Sequence, residues 1–155
     1  MVLRFAPSEI LTMAVELERR GIDFYRKLQR SASAGAQEVF AFLAGEEEKH
    51  LAFFSDLLGA LEVEGTFLEN EEVTGYVGAI VENGVLGKVL KDQLPPAPSL
   101  ADALEVGMQV EKESVLFYQG FSPLVNPAKK QWLEKVIEEE KQHFLKLAAM
   151  RKEMG

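Results

Sequence analysis

The sequence predicts an all-α protein: a four-helix bundle of two antiparallel helical hairpins joined by a long crossover. Two observations predict it. Apolar residues recur at helical spacing over four long stretches, two on either side of a Gly- and Pro-containing middle. In addition, a set of residues in the first half returns 93 positions later. Glu18, Tyr25, Glu47 and His50 find counterparts in Glu111, Tyr118, Glu140 and His143 (111−18, 118−25, 140−47, 143−50). Phe24 and Glu46 obey the same shift and meet Phe117 and Glu139. A shift without gaps implies two halves related by a pseudo-two-fold axis within one domain, 1–155.

The elements follow in order. Ser8 precedes an apolar run at helical spacing: Leu11, Ala14 or Val15, Glu18, Ile22, Tyr25 and Leu28. Ser31 to Ala36 is small and polar with a Gly, and is expected to form the turn. A second helix is expected from about Gln37 to Leu61, with Phe40, Leu43, Glu47, His50, Phe54 and Leu57 along one stripe. These two make the first hairpin, 8–61.

The crossover, 59–98, is acidic at Glu62 to Glu72 and ends in Pro95-Pro96-Ala97-Pro98. Val73 to Leu90 is apolar enough for one or two short helices, interrupted near Gly84 and Gly87. The second hairpin, 99–153, opens on Ser99 with Asp102 three residues later, a variant of the capping box. Its stripe is Leu104, Gly107 or Met108, Glu111, Val115, Tyr118 and Phe121. Asn126 as N-cap with Pro127 at the first helical position starts the last helix. That helix carries Leu133, Val136, Glu140, His143, Leu147 and Met150 on one face.

A chain of 155 residues with 47% hydrophobic and 27% charged content is large enough to bury a core without cross-links. It has no cysteine, which excludes disulfides, zinc ribbons, iron–sulfur ligation and thiol catalysis within this sequence. A net charge of −8 argues against nucleic acid or an anionic membrane surface as the main partner. The first residues lack the apolar core of a signal peptide, and Ser114 to Ala128, the longest uncharged stretch, is too short to span a bilayer. A cytoplasmic protein is the expectation.

The repeated residues have the chemistry of metal ligands. Residues three apart on a helix share a face, about 4.5 Å apart along the axis. Glu47 with His50, and Glu140 with His143, can therefore approach one site as pairs. Each hairpin adds a carboxylate from its other helix, Glu18 or Glu111. Four carboxylates offset the charge of two cations, and two imidazoles favour a transition metal over Ca²⁺ or Mg²⁺. Glutamate runs such as Glu46–Glu48 and Glu138–Glu140 are commonly solvated faces. What singles these out is the joint repeat: aligning 14–57 with 107–150 leaves six identities, and the candidate ligands account for three of them. Tyr25 and Tyr118 lie two turns after their glutamates. They are open to three readings: hydrogen-bonding a ligand carboxylate, redox activity, or packing as Phe24 and Phe117 pack. Trp132, Met108 and Met150 are read as packing.

The motifs Glu18-x-x-Gly-x-x-Phe-Tyr25, Glu47-x-x-His50, Glu111-x-x-Ser-x-x-Phe-Tyr118 and Glu140-x-x-His143 resemble the rubrerythrin branch of the ferritin-like superfamily. The resemblance implies a ferritin-like bundle with a non-haem di-iron centre, for which Zn or Mn can substitute. It places Glu18 and His50 on one iron and Glu111 and His143 on the other, with Glu47 and Glu140 bridging. It further implies oxidation of Fe(II) by hydrogen peroxide or oxygen, in oxidative-stress defence or iron handling, and commonly a homodimer. Two departures stand out. Rubrerythrins usually carry a further glutamate where this chain has Ser114, and no cysteine is present to form a rubredoxin domain. A separate electron-donor protein such as a rubredoxin is therefore expected. Iron storage and a non-catalytic metal-binding bundle are the competing expectations.

Overall fold

The computed structural model describes residues 6–64 and 71–154. The expectation for the chain start and part of that for the acidic crossover segment therefore fall outside the described residues. Among those described, the fold is wholly helical, with no strand. The helices are α1 (Pro7–Ser31), α2 (Ala34–Glu64), α3 (Glu71–Glu82), α4 (Val85–Leu90), α5 (Leu100–Phe121) and α6 (Pro127–Glu153). A single 3₁₀ turn, Ser122–Leu124, links the last two. The chain forms two compact units, Ser8–Gly65 and Met1–Pro7 with Thr66–Gly155.

In the first unit α1 and α2 run antiparallel. Tyr25 stacks on Phe40 with centroids 6.4 Å apart, and Arg26 bonds Glu48 at 2.8 Å. The expected stripe is buried at Leu11, Ala14, Val15, Phe40, Leu43, Phe54 and Leu57. Two boundaries differ from expectation. Helix α1 begins one residue before Ser8, so Ser8 is inside it and accepts a bond from Thr12 Oγ1 through its carbonyl. The turn is shorter than Ser31 to Ala36: α2 starts at Ala34, and Ser33 O accepts from Gln37 N at 2.8 Å. Alanine's high helix propensity extends the helix backward through a segment that its small side chains made look like a loop.

In the second unit α5 and α6 are antiparallel, with Arg151 of α6 bonding Glu105 of α5 at 3.2 Å. Both expected caps form: Ser99 Oγ accepts from Asp102 N at 3.1 Å, and Asn126 Oδ1 from Ala128 N at 2.9 Å. Such caps contribute about 1 kcal/mol each. The crossover carries two helices, α3 and α4, which both pack on α5. Gly120 of α5 makes room for α3, because a Cβ there would lie 3.3 Å from the Tyr76 ring. The chain breaks at Gly84 as expected but not at Gly87, which sits inside α4. There a Cβ would come within 2.6 Å of the Val81 carbonyl, so this glycine serves close packing of α3 and α4. Asp92 ends α4 in the left-handed region at φ 56°, with Gln93 N returning to Lys88 O at 2.8 Å.

Candidate metal centre

Each unit holds three of the repeated residues on one buried face. In the first, α1 supplies Glu18 and α2 supplies Glu47 and His50, all no more than 3% exposed. His50 Nδ1 faces both carboxylates, 3.3 Å from Glu47 Oε2 and 3.8 Å from Glu18 Oε1. One turn after Glu18 stands Gly21, where a Cβ would lie 3.6 Å from Glu47 Cγ. A methyl group there would make ordinary van der Waals contact with the carboxylate side chain.

The second unit repeats the arrangement. Helix α5 supplies Glu111 and α6 supplies Glu140 and His143, again no more than 3% exposed. His143 Nδ1 is 3.5 Å from Glu111 Oε1 and 3.6 Å from Glu140 Oε2. The same ring nitrogen therefore faces the same pair of carboxylates in both units.

These separations, 3.3 to 3.8 Å, lie at or a few tenths of an ångström beyond those around a bound cation. Ligand atoms bound at about 2.1 Å lie roughly 3.0 to 3.4 Å apart for angles between octahedral and tetrahedral. In each unit one candidate atom from each of the three residues lies within 4.8 Å of the other two. Carboxylates are acceptors only when ionised, and two of them buried side by side repel unless a positive charge joins them. Each group thus has the donor chemistry and spacing to bind a metal ion.

The tyrosines are fully buried in aromatic packing. Tyr25 meets Phe24 edge-on at 5.3 Å in addition to its stack on Phe40. Tyr118 meets Phe117 at 5.6 Å and Phe121 at 5.8 Å. Ser114, on the same buried stripe as Glu111 and Tyr118, is 5% exposed. Phe117 is buried as expected and Phe24 only partly. Trp132 corrects its expectation: it is 50% exposed, near the start of α6.

Glu113 was not picked out by the sequence. It is 6% exposed, yet it does not face the ligands, because two residues along a helix from Glu111 is about 200° around the axis. Its Oε1 accepts from Val85 N at 2.7 Å and Leu86 N at 3.3 Å, and its Oε2 from Gln109 Nε2 at 2.6 Å. It caps α4 from another helix. The one available signal was that a helix opening on Gly84 brings no capping side chain of its own.

Among solved structures, a Thermotoga maritima chain described provisionally as a ferritin-like diiron-carboxylate protein superposes with a TM-score of 0.70. The overlay covers 98% of each chain at 24% identity, a likeness of fold. An uncharacterized protein of Archaeoglobus fulgidus is 36% identical over 53 residues, 34% of this chain and 84% of that one. The family model described as Rubrerythrin matches residues 9–151, a span that runs from α1 into α6 and takes in all six candidate ligands. On that match, over nearly the whole chain and both copies of the Glu-x-x-His pair, the chain belongs to the rubrerythrin family.

Proposed function

We propose that the chain is a non-haem di-iron oxidoreductase that reduces hydrogen peroxide, or dioxygen, with electrons from Fe(II). In this reading Glu18 and His50 would hold one iron and Glu111 and His143 the other, with Glu47 and Glu140 as the carboxylates that would be shared between them. The observation that carries it is the duplicated, buried trio of two glutamates and a histidine, one trio in each unit. Family membership supports the same reading.

Bound at this site, two Fe(II) ions would supply the two electrons that, with two protons, convert one hydrogen peroxide to two waters. The protein's own part is positional. Glu18, Glu47, Glu111 and Glu140 offset the charge of two divalent cations, and the imidazoles bias the site toward transition metals. Each of the six side chains is no more than 3% exposed, which limits access to small oxidants. The Tyr25 and Tyr118 phenols, two turns beyond their glutamates, are assigned to orient ligand carboxylates by hydrogen bonding. Re-reduction is assigned to a separate donor protein such as a rubredoxin.

The test is anaerobic loading with Fe(II) followed by stopped-flow mixing with peroxide and, separately, oxygen. The proposal expects saturation at two irons per chain and oxidation much faster than that of free Fe(II), with Glu111→Ala abolishing the acceleration. Oxidation no faster than free Fe(II) would overturn it. Continued uptake far beyond two irons into a large hollow assembly would favour storage instead.

A further inference from the structure

The outer face of α5 and α6 carries a groove of about 460 Å³ lined by Lys112, Val115, Leu116, Lys141, Phe144 and Leu145. Its apolar floor is open to water, with Leu116 41% exposed and Leu145 55%. Exposed apolar side chains gathered in one groove mark an interaction surface more often than scattered ones do.

Three of the lining residues stand directly beside candidate ligands in the chain. Lys112 follows Glu111, Lys141 follows Glu140 and Phe144 follows His143. One step along a helix turns the side chain by about 100° and moves the Cα by about 3.8 Å. The groove and the buried trio therefore share the same turns of the same two helices. One layer of helix, about 10 Å thick, separates them. Electron transfer between metal centres slows steeply with distance, and a partner seated in the groove has only that layer to cross.

The rim states the charge of the occupant. Both charged residues that line the groove are lysines, in a chain of net charge −8. Among the described residues neither belongs to an ion pair. Two acids on the same helix faces are already engaged: Glu138 accepts from Gln142 at 3.2 Å, and Glu105 pairs with Arg151 at 3.2 Å. An acidic partner is repelled by most of such a surface and held where lysines frame apolar contact. The floor is also small. Stable complexes bury roughly 800 Å² on each partner, whereas transient redox encounters lie at the low end of interface size.

We propose that this groove docks the electron donor, a small acidic one-electron redox protein with an apolar patch beside its metal. The proposal rests on the di-iron reading above. No bond forms or breaks. Two successive dockings deliver two electrons, so two donor molecules are oxidised while two ferric ions return to Fe(II).

The test uses the full ¹⁵N-labelled chain, with an acidic rubredoxin carrying zinc in place of iron as the probe. Titration at low salt is expected to shift the backbone amides of Val115, Leu116, Phe144 and Leu145. Salt at about 0.5 M should weaken that binding. Lys112→Glu with Lys141→Glu should weaken it at least about tenfold. Lys88→Glu with Lys129→Glu changes the net charge equally at exposed sites outside the groove, and should leave binding within about twofold. Circular dichroism should show unchanged helix content in both double variants. With the reduced iron form of the same rubredoxin, re-reduction of the peroxide-oxidised chain should slow in the groove variant by the same factor as binding weakens. Absent shifts, shifts centred elsewhere, or equal weakening by the two double variants would overturn the proposal. So would groove amides that move with the chain's own concentration, which would seat a second copy there instead. Peroxide oxidation no faster than that of free Fe(II) overturns the di-iron reading and this proposal with it. Failed docking beside rapid oxidation overturns the docking alone.

Discussion

Glu113 Oε1 accepts a hydrogen bond from the backbone N–H of Val85 at 2.7 Å, across 28 residues of chain. The bond fixes the start of α4 to the middle of α5, two residues from the candidate ligand Glu111. Val85 and Leu86 are the first residues of a six-residue helix with no cap of its own, since Gly84 offers no side-chain bond. Their N–H groups would otherwise be orphaned near the core. Glu113→Ala is expected to cost about 1–3 kcal/mol, the usual consequence of leaving buried donors unsatisfied. In a domain of this size each kcal/mol is roughly 2–4 °C in Tm, so calorimetry resolves it. Faster hydrogen exchange confined to α4 would locate the effect.

Gly84 and Glu113 form one device. A Cβ on Gly84 would overlap the Glu113 carboxylate, so the glycine is required by close approach. Gly84→Ala is expected to destabilise by a similar amount. The double substitution with Glu113→Ala should cost clearly less than the sum, because the clash vanishes with the carboxylate. Strict additivity in a double-mutant cycle would contradict the coupling.

Two other glycines should respond oppositely. At Gly21 an added Cβ meets only ordinary contact with Glu47, at 3.6 Å. Gly21→Ala in mid-helix is therefore expected to stabilise by about 0.5–1 kcal/mol. At Gly87 the neighbour is the Val81 carbonyl at 2.6 Å, backbone that cannot swing aside. Gly87→Ala should destabilise by more than about 1 kcal/mol despite the same gain in helix propensity. Chemical denaturation of both variants checks the contrast.

Asp92 holds a backbone conformation that costs most residues about 1–2 kcal/mol and glycine almost nothing. Asp92→Gly is expected to raise stability by up to about 1 kcal/mol. No change in the denaturation midpoint would mean that the aspartate side chain offsets the strain.

Glu111 and Glu140 are buried together around His143, both carboxylates within 3.6 Å of Nδ1. Glu140→Gln removes a charge from that cluster while keeping its shape. The metal-free variant is expected to melt higher than wild type by a few degrees, on the order of 1 kcal/mol. Metal at 100 times its dissociation constant stabilises wild type by about 2.7 kcal/mol. The same metal concentration should stabilise the variant much less. A lower metal-free Tm with an unchanged metal shift would remove Glu140 from the ligand set.

The site was legible in the sequence to the extent that its geometry is local. Glu47 with His50 and Glu140 with His143 each lie on one helix, so a spacing of three predicts a shared face. The 93-residue repeat then tied Glu18 and Glu111 to them without any contact being known. The caps at Ser99 and Asn126 were readable for the same reason. What escaped was contact across the chain. Glu113 reaches backbone N–H groups, which carry no residue signature, and Gly87 answers to a carbonyl six residues away in space-filling terms only. Trp132 misled because a large aromatic suggests a core, while its position on α6 faces solvent.

The central claim is that the two trios, Glu18–Glu47–His50 and Glu111–Glu140–His143, together form one dinuclear centre. Mössbauer spectroscopy of the ⁵⁷Fe-loaded, peroxide-oxidised protein tests it most directly. The account predicts two irons per chain with a diamagnetic ground state, the mark of two ferric ions coupled through shared ligands. Two magnetically isolated ferric ions, or a single iron per chain, would contradict it.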